Sequence, residues 1–312
     1  MTSLKELAEI ILSLKDSPLL LASHINPDAD AYGSAIALTR VLSLNGFDVV
    51  FYPGEKCENN IAWFKDLSKD VRHEIDNKRR VIALDTANIE IINLPEDIKL
   101  DDAIVIDHHI SNAGWGEINY VQGERSSTCA IIFELTKELG FDVDKETATL
   151  LLAGLIQDTG SFRYSNTGAV DLAIAAELVK HGADISDISN KLYYSQSLKK
   201  TRLKGLVIHN LKVEKDIAYS FISQQDLKNL DMQEGDADGV IDLVRNIEGI
   251  RACFYLRPDG EKFKVSLRSK SSDTDVNKVA QAFGGGGHKE AAGLRIKEDL
   301  DTAISLILKE FS

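Results

Sequence analysis

Cysteine is scarce. There are three in 312 residues, Cys57, Cys129 and Cys253, scattered and odd in number. That argues against a disulfide framework and for a reducing compartment, and with no Cys-x-x-Cys spacing a thiolate zinc site is out as well. Long apolar runs are also missing: none approaches the roughly 18–20 residues of a bilayer span. The first 17 residues carry Lys5, Glu6, Glu9, Lys15 and Asp16, the pattern of an amphipathic helix and not of a signal peptide. A cytoplasmic protein with no membrane partner is expected. Positive charge is in deficit, 36 basic residues against 49 acidic, for a net charge of −13. Such a surface repels long polyanions and excludes broad duplex binding; a local positive pocket could still take a small phosphorylated ligand or the end of a short strand. There is no internal repeat, and no low-complexity tract beyond the four glycines at 284–287.

What is present fits a globular chain long enough for two domains, 44% hydrophobic and 27% charged. Apolar runs at 19–22, 48–52, 81–84 and 103–106 read as buried strands. Helices are expected over 34–44, 127–139, 147–156 and 169–180, several stopped by glycine. This alternation predicts an α/β fold, a parallel sheet covered on both faces. The second half differs. A long polar helix over 189–212 reads as a connector. Strands follow at 217–223, 250–257 and 262–269, the last two a hairpin turned at Pro258-Asp259-Gly260. Helices at 276–283 and 299–311 complete a smaller α/β domain. The expected division is 1–190 for the first domain, 191–213 for a helical linker and 214–312 for the second domain, with a mixed sheet.

The chemistry lies at the ends of the apolar segments. The first releases Ser23-His24, then Asp28 and Asp30. VIAL runs into Asp85, AIVI into Asp107-His108-His109, and LLLAGLI into Gln157-Asp158. Singly, an aspartate after a strand is an ordinary cap or Asx-turn. Together, carboxylates converging on one sheet edge repel one another unless cations neutralise them. Histidines mixed with aspartates suit two divalent ions bound through oxygen and nitrogen, manganese first, with magnesium or cobalt as alternatives. Two such ions can clamp a phosphate for hydrolysis. Gly33-Ser34 reads as a tight turn and a helix cap, with the helix N-terminus aimed at a phosphate.

The set SHINPDADAYGS, ALD, IDHH and LIQDTGSFRYSNT resembles the four motifs of the DHH phosphoesterase superfamily. VSLRS and DVNKVAQAFGGGGHKEAAG are similar to the signature of its DHHA1 companion domain, and the chain's size is similar to that of the nanoRNase and pAp phosphatase group. The resemblance implies that His24, Asp28 and Asp85 hold one ion and that Asp30, Asp85, His108 and Asp158 hold the other, with Asp85 bridging. It implies that His109 assists catalysis at the scissile phosphate and that Asp107 orients a histidine. It also implies that Arg268, Gly285, Gly286, Gly287 and His288 grip a terminal phosphate or nucleotide. Arg163 and Tyr164 are candidates for touching the substrate, and Lys289 and Arg295 add positive charge, whereas Trp115 and Tyr193-Tyr194 read as core or interface residues.

The function the resemblance implies is hydrolysis of short oligoribonucleotides to mononucleotides, together with removal of the 3′-phosphate of 3′-phosphoadenosine 5′-phosphate (pAp). The partners are short RNA, pAp or dinucleotides, and a homodimer is compatible. A cyclic-dinucleotide phosphodiesterase, a RecJ-type single-strand exonuclease and an inorganic pyrophosphatase are the alternative enzymes. A nucleotide sensor without catalysis is the non-enzymatic one.

Overall fold

The computed structural model describes residues 2–54, 61–73, 75–194, 196–271 and 273–311; Cys57 lies outside them. Cys129 and Cys253 are buried free thiols. Among the described residues no helix is long and apolar enough to cross a membrane. The chain divides into two compact units, residues 1–195 and 196–312.

The first unit opens with α1 (Leu4–Ser13), started by a capping box in which Ser3 and Glu6 satisfy each other's amides. Then come β1 (Leu19–Ala22), α2 (Ala29–Leu44), β2 (Val49–Phe51), the single turn α3 (Phe64–Leu67), β3 (Arg80–Leu84), β4 (Ile104–Asp107) and β5 (Ile118–Val121). Four helices follow: α4 (Thr128–Glu138), α5 (Lys145–Asp158), α6 (Ala169–Lys180) and α7 (Ile185–Tyr193). The five strands form a parallel sheet in the order β2-β1-β3-β4-β5. Because alternate strand residues face opposite ways, Leu19, Leu21, Ile82, Leu84, Ile104 and Ile106 enter one core and Leu20, Val81, Ala83 and Val105 another. Among the described residues, helices cover only the first of these. The second is closed by Ile92, Leu94, Ile98, Leu100 and Trp115, from the connections on either side of β4. The segment before β4 carries Asn93, Pro95 and Asp101-Asp102 among its apolar residues, so it turns and does not wind.

Two local expectations change here. Helix α2 starts at Ala29, not Ser34, because Asp28 caps it, its Oδ1 accepting the amides of Asp30 and Ala31 at 3.0 Å each. Ser34 lies inside the helix and donates Oγ to the Ala31 carbonyl. Gly33 is not a turn: a Cβ there would come within 2.7 Å of the Leu150 carbonyl oxygen, so its role is close packing of α2 on α5.

The second unit runs α8 (Leu198–His209), β6 (Lys212–Glu214), β7 (Ile217–Phe221), α9 (Gln224–Leu230), α10 (Ile241–Arg245), β8 (Ala252–Asp259), β9 (Lys262–Ser269), α11 (Val276–Gln281), β10 (Gly286–Gly287), β11 (Ala291–Ile296) and α12 (Leu300–Glu310). Its sheet has the order β10-β11-β9-β8-β7-β6 and is mixed, with β7 and β8 parallel. β8 and β9 form the expected hairpin, with Asp259 paired to Lys262 and Gly260 at φ +63°. One face packs on α11 and α12 through Val276, Val279, Ala303 and Ile307, the other on α8 and α10 through Leu203, Val207, Ile241 and Val244. The connector expected as one helix over 189–212 is two, because Ser197 caps a new one by accepting the Lys200 amide at 3.1 Å. Leu192 of α7 belongs to the first unit's core, and Leu203 of α8 to the second's.

Candidate active site

The strand order of the first unit reverses between β1 and β3, and in open α/β sheets the crevice outside the strands' carboxyl ends at that point is where ligands bind. His24 follows β1, Asp85 follows β3, and Asp107-His108-His109 leave β4. Asp28 and Asp30 sit at the start of α2, and Asp158 is the last residue of α5. The fold thus delivers every expected ligand of the first unit to one crevice.

Three overlapping groups form there, each with ligand atoms within 4.8 Å of one another: His24, Asp28 and Asp85; Asp30, His108 and Asp158; and Asp85, His108 and His109. Asp85 stands between them, buried, at φ +53°. That left-handed backbone costs roughly 1–2 kcal/mol in a residue with a Cβ. Its Oδ2 lies 3.6 Å from His24 Nε2, while its Oδ1 lies 3.4 Å from His108 Nε2. His108 Nε2 is also 3.2 Å from Asp158 Oδ2 and 3.9 Å from Asp30 Oδ2.

Backbone carbonyls aim two of the rings. His24 Nδ1 meets the Ile25 carbonyl at 2.8 Å, and His108 Nδ1 meets that of Arg125 at 3.4 Å. A nitrogen that donates to a carbonyl leaves the other ring nitrogen free to serve as a ligand. Asp107 is buried and acts on its neighbours. Its Oδ1 accepts the His108 amide and His109 Nδ1, each at 2.8 Å, and its Oδ2 accepts the Asn112 side-chain amide at 2.7 Å.

The charges are unbalanced. Burial, then the Asp85 charge, pushes the Asp28 carboxyl up. Burial, then the Asp158 and Asp85 charges, pushes Asp30 well up. Burial carries Asp158 to about 6 despite its His108 hydrogen bond. Burial opposes ionisation of Asp85, yet His24, His108 and His109 outweigh it and hold that carboxyl low. Burial also opposes the imidazolium forms, but the carboxylates prevail, Asp85 taking His24 to about 9 and Asp158, Asp30 and Asp85 taking His108 to about 10. Crowded carboxylates that draw protons onto their neighbours form a site that attracts cations. With mixed O and N donors in overlapping groups, the residues fit two divalent ions.

Sequence reasoning missed the residues that hold this set in place. Thr128 donates its amide to Asp30 Oδ2 at 2.7 Å and its hydroxyl to Asp85 Oδ1 at 2.9 Å, and the Cys129 amide donates to Asp30 Oδ1 at 2.8 Å. Asn166 Nδ2 donates to the carbonyls of Asp158 at 3.1 Å and Ser126 at 3.4 Å, and Ser126 Oγ donates to buried Asp171. The only local signal is Ser127 as an N-cap; the rest are pairings across distant parts of the chain. Arg163 and Tyr164 are exposed on the turn beyond Asp158, and Arg163 donates Nε to the Gly160 carbonyl at 2.6 Å. Trp115 and Tyr193 pack against cores as expected, whereas Tyr194 is exposed.

In the second unit the glycine run is built into the sheet: Gly286 pairs with Gly293 and Gly287 with Ala292. A Cβ on Gly287 would come within 2.6 Å of the Ala292 Cα. His288 is exposed and exchanges backbone hydrogen bonds with Ala291, the residue opposite Arg268 in the register. Arg268 and His288 thus share one end of the sheet. A cavity of about 560 Å³ beside the run is lined by Lys262, Lys264, Arg295 and the backbone of Gly284, Gly285 and Gly286.

Comparison with known proteins gives a consistent family. The DHH family N-terminal domain model matches residues 18–155, and the DHHA1 domain model matches residues 214–312. A Bacillus subtilis protein named bifunctional oligoribonuclease and PAP phosphatase NrnA is 31% identical, over 91% of this chain and 91% of its own length. One of the same name from Thermus thermophilus is 29% identical, over 96% and 90%. The crystal structure of an exopolyphosphatase-related protein from Bacteroides fragilis matches with a TM-score of 0.82 and 27% identity, covering 97% of this chain and 94% of that one.

Proposed function

The chain belongs to the DHH phosphoesterase family and carries its DHHA1 domain, and from that membership we propose that it is a divalent-metal phosphoesterase of short ribonucleotides. Its substrates are oligoribonucleotides of about two to five residues, cleaved to mononucleotides, and pAp, dephosphorylated to AMP. The observation that carries this reading is the convergence of His24, Asp28, Asp30, Asp85, His108 and Asp158 on one crevice, in groups chained through Asp85 and His108.

In this reading His24, Asp28 and Asp85 hold one ion, and Asp30, Asp85, His108 and Asp158 hold the other. Manganese matches the mixed donors best. When bound, the ions polarise the phosphate and acidify the attacking water. The chain's own groups do the rest. Asp107 holds the His109 ring through Nδ1, leaving Nε2 to hydrogen-bond a phosphate oxygen or give a proton to the leaving oxygen. Asn112 occupies the second oxygen of Asp107, which fixes that carboxylate. In the second unit Arg268 and the His288 side chain grip the terminal phosphate; the amides of Gly284 and Gly285, expected to share in this, are already donated to the Gln281 and Ala280 carbonyls.

The test is a pair of variants assayed on pAp and a dinucleotide. Asp85→Ala abolishes turnover and metal binding, because both ions lose a ligand. His288→Ala raises KM and leaves metal content unchanged. Near-normal rates in Asp85→Ala would sink the two-ion assignment, and loss of metal in His288→Ala would sink the division of roles between the units.

A further inference from the structure

We propose that Thr128 is the positioning residue that lets one carboxylate, Asp85, serve two ions; the inference rests on the two-ion reading above. A carboxylate turns about a single bond, so its two oxygens point to two sites only if something fixes the turn. Asp85 Oδ2 faces His24 and its Oδ1 faces His108. On the Oδ1 side stands the Thr128 hydroxyl, 2.9 Å away.

Thr128 is suited to this. It is fully buried and is the first residue of α4, behind the Ser127 cap, whose Oγ accepts the Ala130 amide at 3.0 Å. Its amide is already committed to Asp30 Oδ2. A β-branched side chain has few rotamers, so its hydroxyl is held in place. One residue thus fixes a carboxylate from each of the two ion groups. The hydroxyl also takes up one lone pair of Oδ1 and leaves the other for an ion, so the carboxylate need not reorganise on binding.

The test is a titration of metal-free protein with Mn2+ by calorimetry, followed by steady-state kinetics on a dinucleotide. Thr128→Val keeps the shape and removes the donor. It is expected to lower the affinity for at least one of two ions by roughly 10-fold or more. It should lower kcat by a similar factor with KM unchanged. Thr128→Ser keeps the hydroxyl without the β-branch and is expected to restore most of both. Thr128→Ala serves as the second donor-less variant should the valine fail to fold, as judged by thermal melting without metal. Two ions bound by Thr128→Val with wild-type affinity and wild-type kcat would overturn the proposal. Failure of the wild-type chain to bind Mn2+ would overturn the two-ion reading itself, so the two failures are distinct.

Discussion

His24 is the residue whose protonation reports most directly on the charge of the site. Its carboxylate partner Asp85 raises it to about 9 against the opposing effect of burial. A folded pKa above the unfolded value of about 6.5 stabilises the fold below 6.5, and that contribution is lost as pH rises through 9. Asp158, raised to about 6 by burial, adds a loss of the same sign at lower pH, between about 3.9 and 6. The metal-free protein should therefore melt roughly 5 °C lower at pH 9.5 than at pH 6.5. Over the same interval its affinity for Mn2+ should rise, because the ion competes with protons for imidazole nitrogen. Melting curves and titrations at the two pH values check this; a melting point and an affinity independent of pH would contradict it. The ligand-type residues were legible in the sequence because each stands where an apolar run ends. Thr128, Asn112, Asn166 and Asp171 were not, since their partners are set by tertiary packing and neither periodicity nor spacing encodes it.

Helices α2, α4 and α5 meet at a point where only small groups fit. A Cβ on Gly154 would lie 2.8 Å from both the Cα and Oδ1 of Asp30, and closer still to the Cys129 sulfur. Gly154→Ala therefore forces the helices apart. It should cost about 1–3 kcal/mol of stability and weaken metal binding by moving Asp30 away from the α4 amides. Denaturant unfolding with and without Mn2+ measures both, and a variant of wild-type stability and affinity would show the contact to be slack. Buried strands and glycine-stopped helices were plain in the sequence. Their starts were less so: Asp28 caps α2, whereas Gly33-Ser34 offers the plainer glycine-and-serine cap signal in the sequence. The helix break between α7 and α8 also escaped, since polar residues keep a helical pattern on both sides of it.

At the scale of the whole molecule, two compact units share a chain of net charge −13. The sequence shifts from a strand–helix alternation to a hairpin-rich half, and the two compact units divide between residues 195 and 196. The cation-lined cavity beside residues 284–286 was legible only through Arg295, because Lys262 and Lys264 reach it through strand register. A surface of that net charge does not favour long polyanions. The measurement that bears most directly on this is hydrolysis of a length series, from pAp and dinucleotides to a strand of about 24 nucleotides, far beyond the proposed substrate length, with and without Mn2+. Rapid metal-dependent cleavage confined to pAp and the shortest RNAs is the predicted result, and strong cleavage of the long strand, or none of pAp and the dinucleotides, would contradict it.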